Sequence, residues 1–191
     1  MAAHGGDACI DGTRLYDKRH KAVHRCIIAD VRGPVQLTVP VTKPHGIPRS
    51  TWNDVAISSH GQWWHIHRTT LESAYGRTPF FEFYIDRFIP FMNPDTPLNF
   101  SSIVELDQAI DEEIRKILLL PPSPTFSLCN DTPIYSSKSL EENLDFSSLI
   151  EPYWQVRSSS LGFIPNLSIL DLIFNIGPES PLYLAHIASI I

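Results

Sequence analysis

His24-Arg25-Cys26-Ile27-Ile28-Ala29-Asp30-Val31-Arg32-Gly33-Pro34-Val35-Gln36-Leu37-Thr38-Val39-Pro40-Val41 reads as a β-hairpin with its turn in the middle. Val35, Leu37, Val39 and Val41 alternate with Gln36, Thr38 and Pro40, the period of two that gives a strand one apolar face. Pro40 has no N–H for a ladder, so it belongs at a sheet edge or a strand end. Asp30-Val31-Arg32-Gly33-Pro34 is turn chemistry, and His24 to Ile28 supplies the returning arm. Val55-Ala56-Ile57-Ser58 is a further short strand, reached through a Pro/Gly-rich loop at 43–50.

Helices follow the strands. Residues 62–75 place Trp64, His67, Leu71 and Ala74/Tyr75 on one face, with Gly76 and Pro79 as stops. Residues 80–91 form a second, strongly aromatic helix closed by Pro90 and Pro94. The third runs from Ser102 to about Leu120. Ser102-x-x-Glu105 predicts a capping box, and Ile103, Leu106, Ile110, Ile114 and Ile117 form a buried stripe. Asp111–Arg115 and Glu112–Lys116 are expected i,i+4 pairs, and Pro121-Pro122 ends the run. Residues 121–148 are Pro/Ser-rich, a long loop or lid with a strand expected near Phe126–Leu128. In the C-terminal stretch Ser168 caps a short helix, Asp171 is placed to close a capping box, and Ile169, Leu172, Ile173 and Ile176 face the core. Gly177-Pro178 stops that helix.

These elements predict an α/β (or α+β) fold in a single domain over residues 1–191. A mixed β-sheet from the N-terminal third packs on helices from the middle and C-terminal parts, with strands returning. The divisions are strands at about 7–58, a helical middle at about 62–120, the loop at about 121–148 and the C-terminal motif at about 150–191.

Composition narrows the function. With 43% apolar and 19% charged residues the chain is globular, and a net charge of −6 excludes nucleic-acid affinity by bulk charge. No apolar run is long enough to span a membrane, and the first residues do not read as a signal peptide. Cys9, Cys26 and Cys129 are few, odd in number and widely spaced, which argues against a disulfide framework and for a reducing, cytoplasmic setting. Residues 1–50 carry a balance of +4 and residues 51–191 a balance of −10, so the N-terminal part would meet an anionic ligand, unless its cations serve only solubility at sheet edges.

The chain resembles the WbqC-like family of bacterial proteins. The likeness rests on Tyr16-Asp17-Lys18-Arg19 followed by His24-Arg25, on Gln36-Leu37-Thr38-Val39-Pro40-Val41, and on Leu71-Glu72-Ser73-Ala74-Tyr75 with Pro79-Phe80-Phe81. It continues through Tyr153-Trp154-Gln155-Val156 and through residues 162–171 with Gly177-Pro178-Glu179. The resemblance implies a role in surface-polysaccharide (O-antigen type) biosynthesis, with transfer of glycine or another aminoacyl group proposed for some members. Two departures stand out. Members begin with an aromatic, proline-containing stretch and a helix, and this chain starts near the first strand, so that element is expected to be missing. Where members tend to have an Arg-Asn-Arg type sequence, this chain has Val23-His24-Arg25.

Tyr16, Lys18, Arg19, His24 and Arg25 form the leading candidate cluster. Arginine offers a planar fork and lysine a point charge for the phosphates of a nucleotide sugar or sugar phosphate; a solvated basic hairpin has the same composition. His67, on the buried face of its helix, and His24 are the candidate proton-transfer groups. Tyr153, Gln155 and Asn166 are candidate pocket residues. His65 and His67, two apart on a helix, face different sides, so no metal site is predicted with His60. Glu72 and Asp86 read as surface charges before they read as a carboxylate pair. There is no Gly-rich phosphate loop and no Gly-x-Ser-x-Gly elbow, and no cofactor follows from any motif. The reading is a transferase acting on a sugar nucleotide or sugar-lipid. Its rival is a non-enzymatic binding protein that uses the run 80–91 for docking, homo-oligomerisation included, or an inactive truncated relative.

Overall fold

The computed structural model describes residues 12–43, 46–93, 100–122 and 150–190. Strand β1 (Arg25–Asp30) pairs antiparallel with β2 (Gly33–Thr38) through a tight turn, with Asp30 opposite Gly33 and Arg25 opposite Thr38. Gly33 sits at φ +116°, a conformation that favours glycine. Among the described residues, no third strand pairs with the outer edge of β1. Its polar groups are taken by other elements: Ile27 O accepts from Ser168 N at 2.7 Å and Ala29 N donates to the Tyr75 hydroxyl at 3.1 Å.

The alternating run 35–41 does not continue as one strand. It breaks at Val39-Pro40, and β3 (Val41–Thr42) starts a separate antiparallel ladder with β4 (Ala56–Ile57). The α/β class holds. The single mixed sheet is corrected to two two-stranded antiparallel ladders among the described residues. The physical cause is Pro40, which cannot donate and uses only its carbonyl, accepting from Ser58 N at 2.8 Å. No strand follows Ile57 among the described residues, so the sheet expected to return does not appear there. The strand expected near 126–128 lies outside the described residues.

Helix α1 (Trp63–Tyr75) buries His67, Leu71, Ala74 and Tyr75. Its stripe starts at Trp63, whose ring meets His67 edge-on at 5.1 Å. Trp63 and Trp64 are both half-buried. Helix α2 (Phe81–Phe88) is shorter than the aromatic run suggests, because Pro90 converts the chain to a 3-10 turn at Ile89–Met92. Helix α3 (Ile103–Ile117) starts where expected, with Ser102 Oγ accepting from Glu105 N at 3.2 Å. The reciprocal half of the box is displaced by one residue: the Glu105 carboxylate takes the N–H and hydroxyl of Ser101, each at 2.8 Å. Asp111–Arg115 forms at 2.7 Å, whereas Lys116 pairs with Glu113 and not with Glu112.

Helix α4 (Ile169–Ile176) carries Phe174 into the centre of the core. The rings of Tyr75, Phe81 and Phe88 lie 5.3, 5.1 and 6.0 Å from it. Burying each such side chain contributes about 1.5–3 kcal/mol. Much of the aromatic run is therefore spent on the core, although Phe83 stays 75% exposed. A Cβ on Gly177 would lie 2.4 Å from the Phe80 ring, which is why the chain turns at a glycine there. Gly177-Pro178 is a change of direction and not an end, since α5 (Ser180–Ile190) follows directly. No helix among the described residues is long and apolar enough to cross a membrane.

Candidate functional site

A cavity of about 200 Å³ lies between the start of the hairpin, α1 and α3, closed by the 89–92 turn and the first turn of α4. Its walls are mostly apolar, with Leu37, Leu71, Phe88, Met92, Ile110 and Ile114 among them. The side chains that can carry chemistry are His24, Arg25 and Cys26 from the hairpin arm, His67 from α1 and Asp107 from α3. Their separation in sequence spans more than half of the helical middle, and the fold alone gathers them.

The two imidazoles are held alike. His24 Nδ1 donates to Val39 O at 3.0 Å, and His67 Nε2 donates to Thr38 O at 3.1 Å. A carbonyl can only accept, so each of these nitrogens carries the N–H, and in the neutral form of His67 the lone pair lies on Nδ1. Burial pushes His67 below the ordinary histidine range, against a smaller opposing effect of its bond to Thr38. It is therefore a neutral base near pH 7. Arg25 leads β1, and its Nε is buried without a hydrogen-bond partner. Burial pushes the Cys26 thiol up to about 11, so it is a packed thiol and not a nucleophile. Burial also pushes Asp107 up to about 8.

The structure divides the predicted residues into three places. His24, Arg25 and His67 line the cavity together. Tyr16, Lys18 and Arg19 do not line it. Tyr16 packs edge-on against Trp52 at 4.8 Å with Lys43 Nζ over its ring at 5.9 Å, Lys18 is exposed, and Arg19 is exposed and bound to Asp17 at 2.7 Å. That pairing holds Asp17 far below the usual carboxylate range. Tyr153 and Gln155 are absorbed by Asp171. The Asp171 carboxylate accepts from the hydroxyls of Tyr75 (2.8 Å) and Tyr153 (2.6 Å) and from Gln155 Nε2 (2.9 Å). Asp171 is 1% exposed, so this is an interior polar network. It also displaces the expected capping box, because the carboxylate turns inward and leaves Ser168 to cap alone, at Leu170 N. Asn166 is exposed at φ +59°, a turn residue in the left-handed region.

His60 and His65 are exposed, as are Glu72 and Asp86. Among the described residues, no group of three or more His, Cys, Asp or Glu side chains is arranged to hold a metal ion. Asp107 is the cavity residue that sequence reasoning passed over. Its signal was present, because it lies four residues after Ile103 and three before Ile110, on the apolar side of α3 where an acid has no structural reason to be.

Fold and cavity thus define a small α/β protein with a mostly apolar cavity lined by His24, Arg25, His67 and Asp107. The WbqC-like protein family is matched over residues 11–151, and the chain belongs to that family. The matched span contains His24, Arg25, His67 and Asp107 and stops before most of the Asp171 network. No curated protein and no solved structure matches the chain.

Proposed function

We propose that this chain is a transferase of surface-polysaccharide (O-antigen type) assembly that moves a small acyl or aminoacyl group onto a sugar nucleotide or sugar-lipid. The observation that carries the reading is the convergence of Arg25, His24 and His67 on one mostly apolar cavity. Its volume of about 200 Å³ is below the roughly 300–1,000 Å³ of sites that enclose whole drug-sized ligands. It suits the transferred group, with a larger sugar or nucleotide portion remaining outside. Arg25 holds the anionic part. The lone pair of His67 accepts the proton of the acceptor hydroxyl or amine as its heteroatom bonds to the donor carbonyl carbon. The donor's bond to its leaving group breaks, and the imidazolium returns the proton to that leaving group.

The test is a thermal-shift screen of nucleotide sugars, sugar phosphates, acyl-CoA and aminoacyl donors, because a ligand of the native state raises its melting temperature. A hit lost in Arg25→Ala is expected, with turnover of that hit lost in His67→Gln while binding persists. Silence across the panel, with the protein folded, sinks the reading and favours a binding protein without turnover.

A further inference from the structure

We infer that an aromatic cavity next to this site binds one pyranose ring, with a C–H face of the sugar on the indole of Trp64. The inference deepens the transferase reading and rests on it only for the sugar's being the acceptor.

This second cavity, of about 220 Å³, lies between β4, the start of α1 and the 89–92 turn. Trp63, Phe91 and Leu106 line both it and the first cavity, so the two spaces share a wall of side chains. Four aromatic residues line it: Trp63, Trp64, Phe91 and Phe100. Three of them have a structural use, since Trp63, Phe91 and Phe100 pack on the core cluster of Trp52, Val55 and Leu106. Trp64 belongs to neither core cluster, yet it is half-buried. Its ring meets that of Trp63 edge-on, with centroids 6.0 Å apart and planes at 77°. A large indole on a cavity wall that no core uses is best accounted for by a ligand.

The chemistry of the wall selects that ligand. None of the described residues that line the cavity carries a charge, so nothing there offsets the desolvation of a phosphate or carboxylate. Ser58, Ser59 and Asn93 also line it, and hydroxyl and amide groups both donate and accept. Ser58 Oγ accepts from His60 N at 3.1 Å, and its own O–H has no acceptor among the described residues. Aromatic rings beside neutral hydroxyls and an amide match a sugar, which has apolar C–H groups on a face and hydroxyls around its rim. A flat nucleobase fits less well, because Trp63 and Trp64 stand nearly at right angles and leave no parallel slot between them. Size agrees. An apolar cavity of about 150 Å³ takes up a benzene-sized ring, so about 220 Å³ with exposed Ser59 and Asn93 on its wall has room for one pyranose.

The test titrates the full chain with the methyl β-pyranosides of glucose, galactose and N-acetylglucosamine. Sorbitol, cyclohexanol and uridine are the controls, and the readout is the set of tryptophan indole N–H signals in ¹H–¹⁵N spectra. The Trp64 signal is the one lost in Trp64→Phe. At least one glycoside is expected to bind more tightly than every control and to shift the Trp64 signal. Trp64→Ala weakens that binding about fivefold, the worth of one aromatic contact, whereas Trp64→Phe keeps most of it. Sorbitol that binds as well as the glycosides overturns the inference, because hydroxyls without a ring face would then suffice. So does tighter binding of cyclohexanol, which makes the cavity merely apolar, or of uridine, which makes it a base site. Absence of glycoside binding, or parent-like binding by Trp64→Ala, overturns it too. If Trp64→Ala does not fold, the parent decides: a Trp64 signal that stays still as the glycoside saturates sinks the idea. Glycoside binding at Trp64 with no Arg25-dependent hit in the thermal screen removes the transferase reading and leaves the sugar site. Arg25-dependent hits that turn over, with no glycoside at Trp64, do the reverse.

Discussion

Asp171 and Tyr75 carry the fold's most concentrated polar contacts. The Tyr75 hydroxyl accepts from Ala29 N on the open edge of β1 and donates to Asp171, so one oxygen joins the hairpin, α1 and α4. Tyr75→Phe removes that oxygen and leaves a strand N–H and one carboxylate oxygen unserved in the interior. A loss of about 1–3 kcal/mol is expected in denaturant unfolding. Tyr153→Phe should cost less, because Gln155 Nε2 still reaches the same carboxylate oxygen at 2.9 Å. Equal losses would mean that the hub is not organised through Tyr75. Little of this was legible beforehand. Asp171 sits three residues after Ser168, and local spacing alone gives it a capping role. Only tertiary packing brings Tyr75 and Tyr153, both distant in sequence, to the same carboxylate.

At the scale of elements, α3 was the most legible, because a cap, a stripe and a proline stop agree with one another. Its end was not. Leu118 closes the helix and Leu119 follows at φ +56° with 84% of its surface exposed. A leucine in the left-handed region costs about 1–2 kcal/mol, and this one recovers little of that by burial. Leu119→Gly should therefore stabilise the protein by about 1 kcal/mol, seen as a higher unfolding midpoint with an unchanged denaturant slope. A lower midpoint would show that the Leu119 side chain has a contact worth more than the strain. At the other end, Ser102→Ala removes the acceptor for Glu105 N and should cost about 1 kcal/mol. The displaced half of the box explains why the cost should not be larger, since the Glu105 carboxylate keeps both bonds to Ser101. The hairpin shows the same balance. Its turn and register follow from alternation and Gly33, but the two-ladder arrangement depends on Pro40 and on Ser168 and Tyr75 closing the edge of β1.

For the molecule as a whole, the cavity makes stability depend on pH in an unusual direction. His24, Arg25 and His67 were legible as chemistry-bearing residues, but their meeting with Asp107 depends on how α3 lies against α1 and the hairpin, which no local pattern encodes. Asp107 keeps its proton in the fold up to about pH 8, whereas an unfolded aspartate loses it near 3.9. Between those values the native state binds the extra proton, so stability falls as pH rises, by about 1.4 kcal/mol per unit. His67 acts in the opposite sense. Its folded value is pushed down, so the unfolded chain binds the extra proton below the ordinary histidine value, and that share of stability is lost as pH falls there. Asp54 and Glu105, lowered by their caps, act in the same sense as His67 but only in the acid range. The two cavity groups oppose each other below about pH 6.5, and Asp107 acts alone from there to about pH 8. The parent should lose about 2 kcal/mol across that upper window. Asp107→Asn should be flat across it and should overtake the parent by pH 8. His67→Gln should leave the upper window as it is and steepen the fall below it, because the opposing term is gone. Urea unfolding at several pH values on the three proteins reads all of this. A parent curve that is level between pH 6.5 and 8, or one whose slope persists in Asp107→Asn, would mean that the α3 carboxyl is solvated like any surface aspartate.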